Sequence, residues 1–552
     1  MKTFRDAFLA LILFSLLGWI VYGQAVLYPF LHDDVVFIQQ NPRIAHLMDF
    51  SFLFSSGWVG EGEVGLMNPY YRPFLEFFYR LEYQLFGFNA AGYHAVNILF
   101  HVINAFMVFL ILQNIISRRA ISLILALTFL LHPIQSEAVV CIAGASNVVM
   151  AFFFLLSFWC YLKDRRRWSL IFYVFALLTK EQAIVLPILI ILHHFCFEKS
   201  RVSSKEFLRP LGLFLLVTIF YLLWRSMVLQ DAATSIIPSW HELSLRLQAI
   251  PATLLMYGKI LLFPRDLHYY RSVDILNISW WSWPLFIGIV VGSGVILRKA
   301  PSQTSRLMTW GMGWFGILLL PSLILPLIYE YSLIAAFEHF LYLPMLGFFI
   351  FLFIGLDHVF SLPQENLFRK ICRLTMVIFF ILLMMMSTIA QTVFWRFEQS
   401  LFDRASLFEP QLGRVQLLAA RAHSVRGEYV QAVGKYEKAL IIFEGYLQKT
   451  TVQGPRSLYQ KFVNEIRVEL AQTHNNIGVL QIHQGNFEKA LDHFEESVKF
   501  NPHDLGAKTN MAVCYLQAGK SSQGKEVLRG ILEDHPDFEP AQQVLGVLEQ
   551  SQ

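Results

Sequence analysis

The sequence predicts an all-α protein in two parts. A polytopic membrane helix domain of about eleven crossings occupies residues 1–396, and a soluble helical-repeat solenoid occupies residues 397–552. Three observations lead there. Up to Arg396 the apolar residues fall into runs near the length of about 20 residues that crosses a bilayer. Charged residues make up only 15% of the chain, against roughly 25% in soluble domains, and mean hydropathy is +0.49. After Arg396 the composition turns polar, and there Gly485 and Gly519 stand 34 residues apart, as do Pro502 and Pro536. That spacing is the tetratricopeptide period.

The spans follow in order. They are Ala7–Tyr28, Ala91–Leu112, Ile121–Val140, Asn147–Leu162, Ser169–Thr179, Gln182–Phe197, Pro210–Leu229, Trp280–Leu297, Leu307–Ile328, Phe340–Leu356 and Leu374–Phe394. The first is read as an uncleaved helix, because its apolar run continues to Phe30, beyond an ordinary signal-peptide core. The turns Ser117–Ala120, Lys163–Trp168, Glu198–Arg209, Arg298–Arg306 and Ser361–Arg373 are basic. The positive-inside rule makes them cytoplasmic, together with the N-terminus. Leu247–Pro264 is apolar enough to cross, but a crossing there would place Arg298, Lys299 and Arg306 outside. It is therefore read as re-entrant or interfacial, which leaves everything after Phe394 extracytoplasmic. The first outside loop, residues 31–90, is long, and Tyr70–Phe86 carries apolar residues at helical spacing, as helices lying on the membrane surface do. A bacterial inner membrane with a periplasmic repeat domain is the expected setting, or the endoplasmic reticulum membrane in a eukaryote.

In the repeats, Gly478, Ala490 and Phe494 take the small and large positions that let paired helices pack. An earlier copy carries Gly427, Tyr429, Ala432, Tyr436 and Ala439. An insertion near Gln448–Glu465 separates the first two copies, and Glu539–Gln552 reads as a capping helix. Such helix pairs build a concave surface for peptides or partner proteins.

Composition also excludes. A net charge of +4, with no basic tract interleaved with aromatics, argues against nucleic acid. The five cysteines, Cys141, Cys160, Cys196, Cys372 and Cys514, show no CxxC spacing, so neither a disulfide framework nor a zinc site is indicated. His94 and His101 lie seven residues apart on one helix and read as polar glue between helices.

The residues that carry chemistry begin with Asp33 and Asp34, an acidic pair at the mouth of the first span. Such a pair is costly to keep near lipid and so is a functional candidate. Further segments stand out along the chain: HDDVVFIQQNPRI (His32–Ile44), the run Tyr70–Ala105 with Tyr71-Arg72-Pro73, LHPIQSEAV (Leu131–Val139), TKEQAIVLP (Thr179–Pro187) and EHFLYLPMLGFF (Glu338–Phe349). In this order, with repeats after the last span, the chain resembles the GT-C membrane glycosyltransferases that carry tetratricopeptide repeats, the transmembrane-and-repeat O-mannosyltransferases and their bacterial relatives.

The resemblance implies a GT-C-like fold. It also implies an inverting transfer of a sugar from a polyprenyl-phosphate-linked donor to a hydroxyl, on Ser or Thr of an acceptor protein held by the repeats. Asp33 matches the family's acidic base and Asp34 its neighbour. A hydroxyl needs such a base, and a departing phosphate needs cationic donors. Arg72 and Lys180 are the first candidates for that role, with His132, Glu137, Glu181, Glu338 and His339 on the same side. Each has a plainer reading. Arg72 could anchor to lipid headgroups, Lys180 and Glu181 could form a structural ion pair, and His132 could only end a helix.

No metal site is assigned, although Asp33, Asp34 and another carboxylate could hold Mg²⁺ or Mn²⁺ through oxygen ligands. Two departures stand out. Relatives often carry charges where this chain reads Gly144-Ala145-Ser146-Asn147, and Glu-Arg where it reads Glu338-His339. A rival reading is therefore a non-enzymatic membrane scaffold whose repeats organise an envelope assembly.

Overall fold

A computed structural model gives the architecture. It describes all of the chain except residues 1, 50–52, 55–60, 63–65, 68–70, 117, 199–203, 230–239, 275–277, 325–327, 331–332, 361–366, 451–452 and 551–552. Tyr70, parts of the basic turns Glu198–Arg209 and Ser361–Arg373, and part of the Gln448–Glu465 insertion lie outside the described residues. The chain divides into two compact units, Met1–Leu401 and Phe402–Gln552.

The first unit is built from helices α1 (Lys2–Tyr22), α2 (Pro73–Phe86), α3 (Ala90–Ile115), α4 (Arg119–Leu131), α5 (Ser136–Val140), α6 (Ala145–Leu162), α7 (Arg166–Thr179) and α8 (Leu186–His193). It continues with α9 (Ser204–Val228), α10 (Trp240–Leu262), α11 (Ser282–Lys299), α12 (Ser302–Ile324), α13 (Pro344–Phe360) and α14 (Leu367–Thr392). Each of the eleven expected spans falls largely on described helical residues, although Leu307–Ile328 is helical only to Ile324 and residues 325–327 lie outside the described ones. By length and apolarity, however, seven described helices can cross a membrane, or eight if the bent pair Arg119–Leu131 and Pro133–Val140 is one span. Shorter apolar helices, Leu247–Leu262 and Pro344–Val359, stand beside them among the described residues. Helix α7 is also short: its 14 residues reach about 21 Å at about 1.5 Å per residue, less than a hydrocarbon core of about 30 Å.

The spans Ile142–Leu162 and Ala90–Ile115 are 72% and 61% buried inside the unit, whereas Ser282–Lys299 is 11% buried and turns its apolar side chains outward. A ladder of polar residues one turn apart runs along α3. His101 bridges the Leu130 carbonyl (3.0 Å) and the Tyr342 hydroxyl (2.8 Å), and Asn104 donates to the Val148 carbonyl (2.8 Å). Asn97 donates to the Cys141 carbonyl (3.1 Å). Inside an apolar bundle such bonds fix the register of neighbouring helices. The expected polar glue is therefore real, at least for His101. Elsewhere α12 and α13 cross at glycines. A Cβ on Gly347 would stand 2.4 Å from the Gly311 carbonyl oxygen, so only glycine permits the approach.

The all-α reading holds apart from short strands. Leu333–Ala335 runs antiparallel between Ser272–Asp274 and Ile328–Glu330. Ser272 pairs with Ala335, and the Ala336 N–H donates to the Arg271 carbonyl at 2.9 Å. This small sheet brings residues after α10 beside those before α13.

The second unit begins in α15 (Glu398–Phe408) and stacks helix pairs: α16 (Gly413–Val425) with α17 (Tyr429–Lys449), α18 (Gln453–His483) with α19 (Phe487–Phe500), and α20 (Leu505–Gln517) with α21 (Ser521–Asp534). Helix α22 (Glu539–Gln550) closes the stack against Leu528 and Ile531. The turns within the pairs repeat one left-handed conformation, with φ of 75°, 77° and 76° at Gly427, Gly485 and Gly519, where a side chain would be strained. Gly478 lies against the Phe494 ring, as the small-to-large pattern requires. Much of the insertion between the first copies is taken up as extra turns at the start of the 31-residue α18.

Candidate functional site

Beyond α1 the chain makes a short 3₁₀ turn, Gly23–Leu27, and then bends sharply at His32, whose φ of 45° is uncommon for a residue with a side chain. The bend is held from both sides. The His32 N–H donates to Glu398 Oε1 at 2.7 Å, and its Nε2 pairs with the Tyr270 hydroxyl at 2.8 Å. Tyr270 is itself left-handed, with φ 65°, as is Asp266, with φ 58°. Strained residues on two touching segments are a mark of a functional site.

The bend gives the two aspartates different surroundings. Asp34 is 2% exposed, and its Oδ2 accepts from the Leu31 N–H (3.1 Å) while Oδ1 accepts from the Ala143 N–H (2.7 Å). The Asp33 side chain is 39% exposed, and its Oδ2 accepts from the Tyr269 hydroxyl at 3.1 Å. Asp34 is thus a strut between the first loop and the turn before α6, and Asp33 is the carboxylate offered outward. Burial pushes the Asp34 carboxyl up to about 7, against the two N–H donors that favour its anion.

A consequence for stability follows. A carboxyl whose folded pKa exceeds its ordinary 3.8 favours the fold fully below that value, and the contribution is lost as pH rises through the folded pKa. The melting temperature of the detergent-solubilised protein is expected to fall between pH 3.8 and about 7. Asp34→Asn should flatten that part of the curve. An unchanged slope in the variant would refute the assignment.

The remaining candidates come together as pairs. Arg72, which precedes α2, grips Glu181 with two bonds of 3.0 and 2.7 Å. Lys180 donates to Asn147 Oδ1 at 2.6 Å. The plainer alternative of a Lys180–Glu181 ion pair is not what forms, because the turn after α7 sends the two side chains to different partners. The lipid-anchor reading of Arg72 is displaced by the same bonds. Glu137 binds His339 twice, at the ring Nδ1 (2.6 Å) and the backbone N–H (3.0 Å). Glu338 accepts from Arg271 (2.9 Å) and from the His268 N–H (2.8 Å). Lys180, Arg72, Glu137 and His339 lie close enough to influence one another's charge.

His132 does not belong with them. It is 1% exposed, its Nδ1 accepts from the Ile134 N–H (3.2 Å) and its Nε2 donates to the Leu261 carbonyl (3.0 Å). One nitrogen serves the bend between α4 and α5 and the other ties it to the end of α10, so its candidacy as a phosphate contact is corrected to a structural one.

The carboxylates fit a Mg²⁺ or Mn²⁺ site poorly. Both Asp34 oxygens face backbone donors, and among the described residues no group of three His, Cys, Asp or Glu side chains could hold a metal ion.

The sequence reading missed His268, Tyr269, Tyr270 and Arg271. The signal was present as four consecutive residues with polar tips directly after Pro264-Arg265-Asp266-Leu267, beyond the end of an apolar helix.

Comparison with known proteins agrees with this layout. Residues 481–548 match the tetratricopeptide repeat family. Protein O-mannosyl-transferase TMTC3 of Mus musculus is 23% identical over 532 residues, covering 91% of this chain and 52% of its own length. Protein O-mannosyl-transferase TMTC4 of Homo sapiens is 26% identical over 66% of the chain and 57% of its own length. Protein O-mannosyl-transferase TMTC1 of Homo sapiens reaches 31% over 143 residues, 25% of the chain and 16% of its own length. The chain therefore spans about half the length of the relatives it matches most extensively. With its apolar helices and its repeats, the chain is an integral membrane protein similar to protein O-mannosyl-transferases across most of its sequence.

Proposed function

We propose that the membrane unit is a GT-C-type glycosyltransferase. It moves a sugar, mannose by analogy with its relatives' names, from a polyprenyl-phosphate donor to a Ser or Thr hydroxyl of a protein, with inversion, on the extracytoplasmic side. The observation that carries this reading is the contrast within the acidic pair. One carboxylate is buried and bonded, and the other is held partly exposed by Tyr269. Asp33 takes the proton of the acceptor hydroxyl as its oxygen attacks the sugar's anomeric carbon. The bond from that carbon to the phosphate oxygen breaks, and the polyprenyl phosphate leaves with the electron pair. Arg72, Lys180 and Arg271 supply positive charge around the leaving group. The repeats bind the acceptor polypeptide, and the N-terminus is cytoplasmic.

The test is transfer from labelled polyprenyl-phosphate-mannose to a membrane-protein fraction by the full chain in nanodiscs, paired with mass spectrometry of Ser/Thr glycans in a strain lacking the gene. Label in protein and a missing glycan are expected. Retained polypeptide binding with no transfer and an unchanged glycan profile would leave only the membrane scaffold.

A further inference from the structure

The Glu137–His339 pair has a geometry that the transfer reaction described so far does not use. Glu137 holds His339 by its ring and by its backbone, so the imidazole cannot turn. Phe337 stacks on the ring at 5.2 Å, and Phe340 meets it edge-on at 4.7 Å. With Nδ1–H given to Glu137, Nε2 carries the lone pair. It has no protein partner among the described residues, and the side chain is 21% exposed.

We propose that Nε2 of His339 is a proton-taking contact for the donor's phosphate, so that donor binding brings a proton into the protein. This rests on the polyprenyl-phosphate reading above and deepens it.

Charge balance supports it. A sugar phosphodiester brings one fixed negative charge into a partly buried site, where an unbalanced charge is costly. The permanent cations nearby are already matched, Arg72 by Glu181 and Arg271 by Glu338. Glu137 adds negative charge beside the imidazole. The groups still able to gain positive charge are His339 and Lys180. Burial, with Arg72 adding to it, lowers Lys180 to about 7. Burial, and then the Lys180 and Arg72 charges, press the imidazole below its ordinary range, against Glu137. The empty site thus keeps His339 uncharged at neutral pH, and an anion at Nε2 reverses that.

The sign follows. Affinity for the phosphodiester rises as pH falls, by up to about tenfold per pH unit between the free and bound imidazole values.

The experiment uses the full chain in phosphatidylcholine nanodiscs. The probe is a polyprenyl methyl phosphodiester, whose charge does not change over the range. Affinity is measured from about pH 8 to about pH 6, with proton uptake read by calorimetry in buffers of different ionisation heat. The wild type should take up about one proton more than His339→Gln, whose binding is weaker and flatter; Lys180 sets whatever slope remains. His339→Arg should bind well with the same reduced slope, because its charge is permanent. Equal proton uptake by the wild type and both variants would overturn the inference. Failure of the wild type to bind the probe at all would instead remove the donor reading. Equal competition by phosphatidylglycerol would assign the contact to a lipid headgroup and overturn its assignment to the donor.

Discussion

Asp33→Asn is expected to lower sugar transfer by about 10²- to 10⁴-fold, the usual contribution of a positioned general base, with the melting temperature nearly unchanged. The substitution keeps the shape of the side chain and an oxygen that can accept from the Tyr269 hydroxyl, a 3.1 Å bond in the wild type. It removes only the capacity to take a proton. The Asp33 side chain is 39% exposed, and its 3.4 Å contact with His32 Nε2 can be kept by the amide group. Asp34 cannot stand in, since its two oxygens accept from Leu31 and Ala143. Asp34→Asn should therefore show the opposite pattern, an altered melting curve in which activity follows the folded fraction. Transfer at the wild-type rate by Asp33→Asn would refute the base assignment. Transfer assays and thermal melts on the same two preparations distinguish these outcomes.

The difference between these neighbours was not legible in the sequence. The adjacency of Asp33 and Asp34 was plain, and so was their place after a span. Which one faces inward depends on the left-handed turn at His32 and on an N–H from Ala143, 109 residues away. Local patterns served better where structure is local. The left-handed glycines of the repeats followed from a 34-residue period, because each copy contacts its neighbours in sequence. The long apolar runs gave the helices, and the short run Ser169–Thr179 already marked α7 as short. Hydropathy does not show that the chain bends by 46° near His132.

The plainer reading of Lys180 and Glu181 as an ion pair gives way for a related reason. Lys180 beside Glu181 suggests a pair. Yet the backbone of Lys180 is extended, with φ −156°, and the next residue starts a 3₁₀ turn. The two side chains diverge, one to Asn147 and one to Arg72. Asn147 had been noted only as the loss of a charge, and it serves as the acceptor for Lys180.

Arg72→Ala is expected to cost about 2 kcal/mol of stability and to abolish transfer. That stability loss is the low end for truncating one partner of a buried, hydrogen-bonded charge pair, discounted because the Arg72 and Glu181 side chains are 13% and 26% exposed. The loss arises from what remains: Glu181 keeps its charge without the two guanidinium bonds. Arg72→Lys should recover only part of it, since an ammonium cannot reproduce the two-pronged grip. The double substitution Arg72→Met with Glu181→Met removes both charges and fills similar volume, so stability should return toward the wild type. If Arg72 also supplies charge to the leaving phosphate, transfer by the refolded double variant stays lost. Denaturation midpoints and transfer rates of the wild type, Arg72→Met, Glu181→Met and the double variant decide the matter, and recovery of both together would reduce Arg72 to a strut between the first loop and the turn before α8.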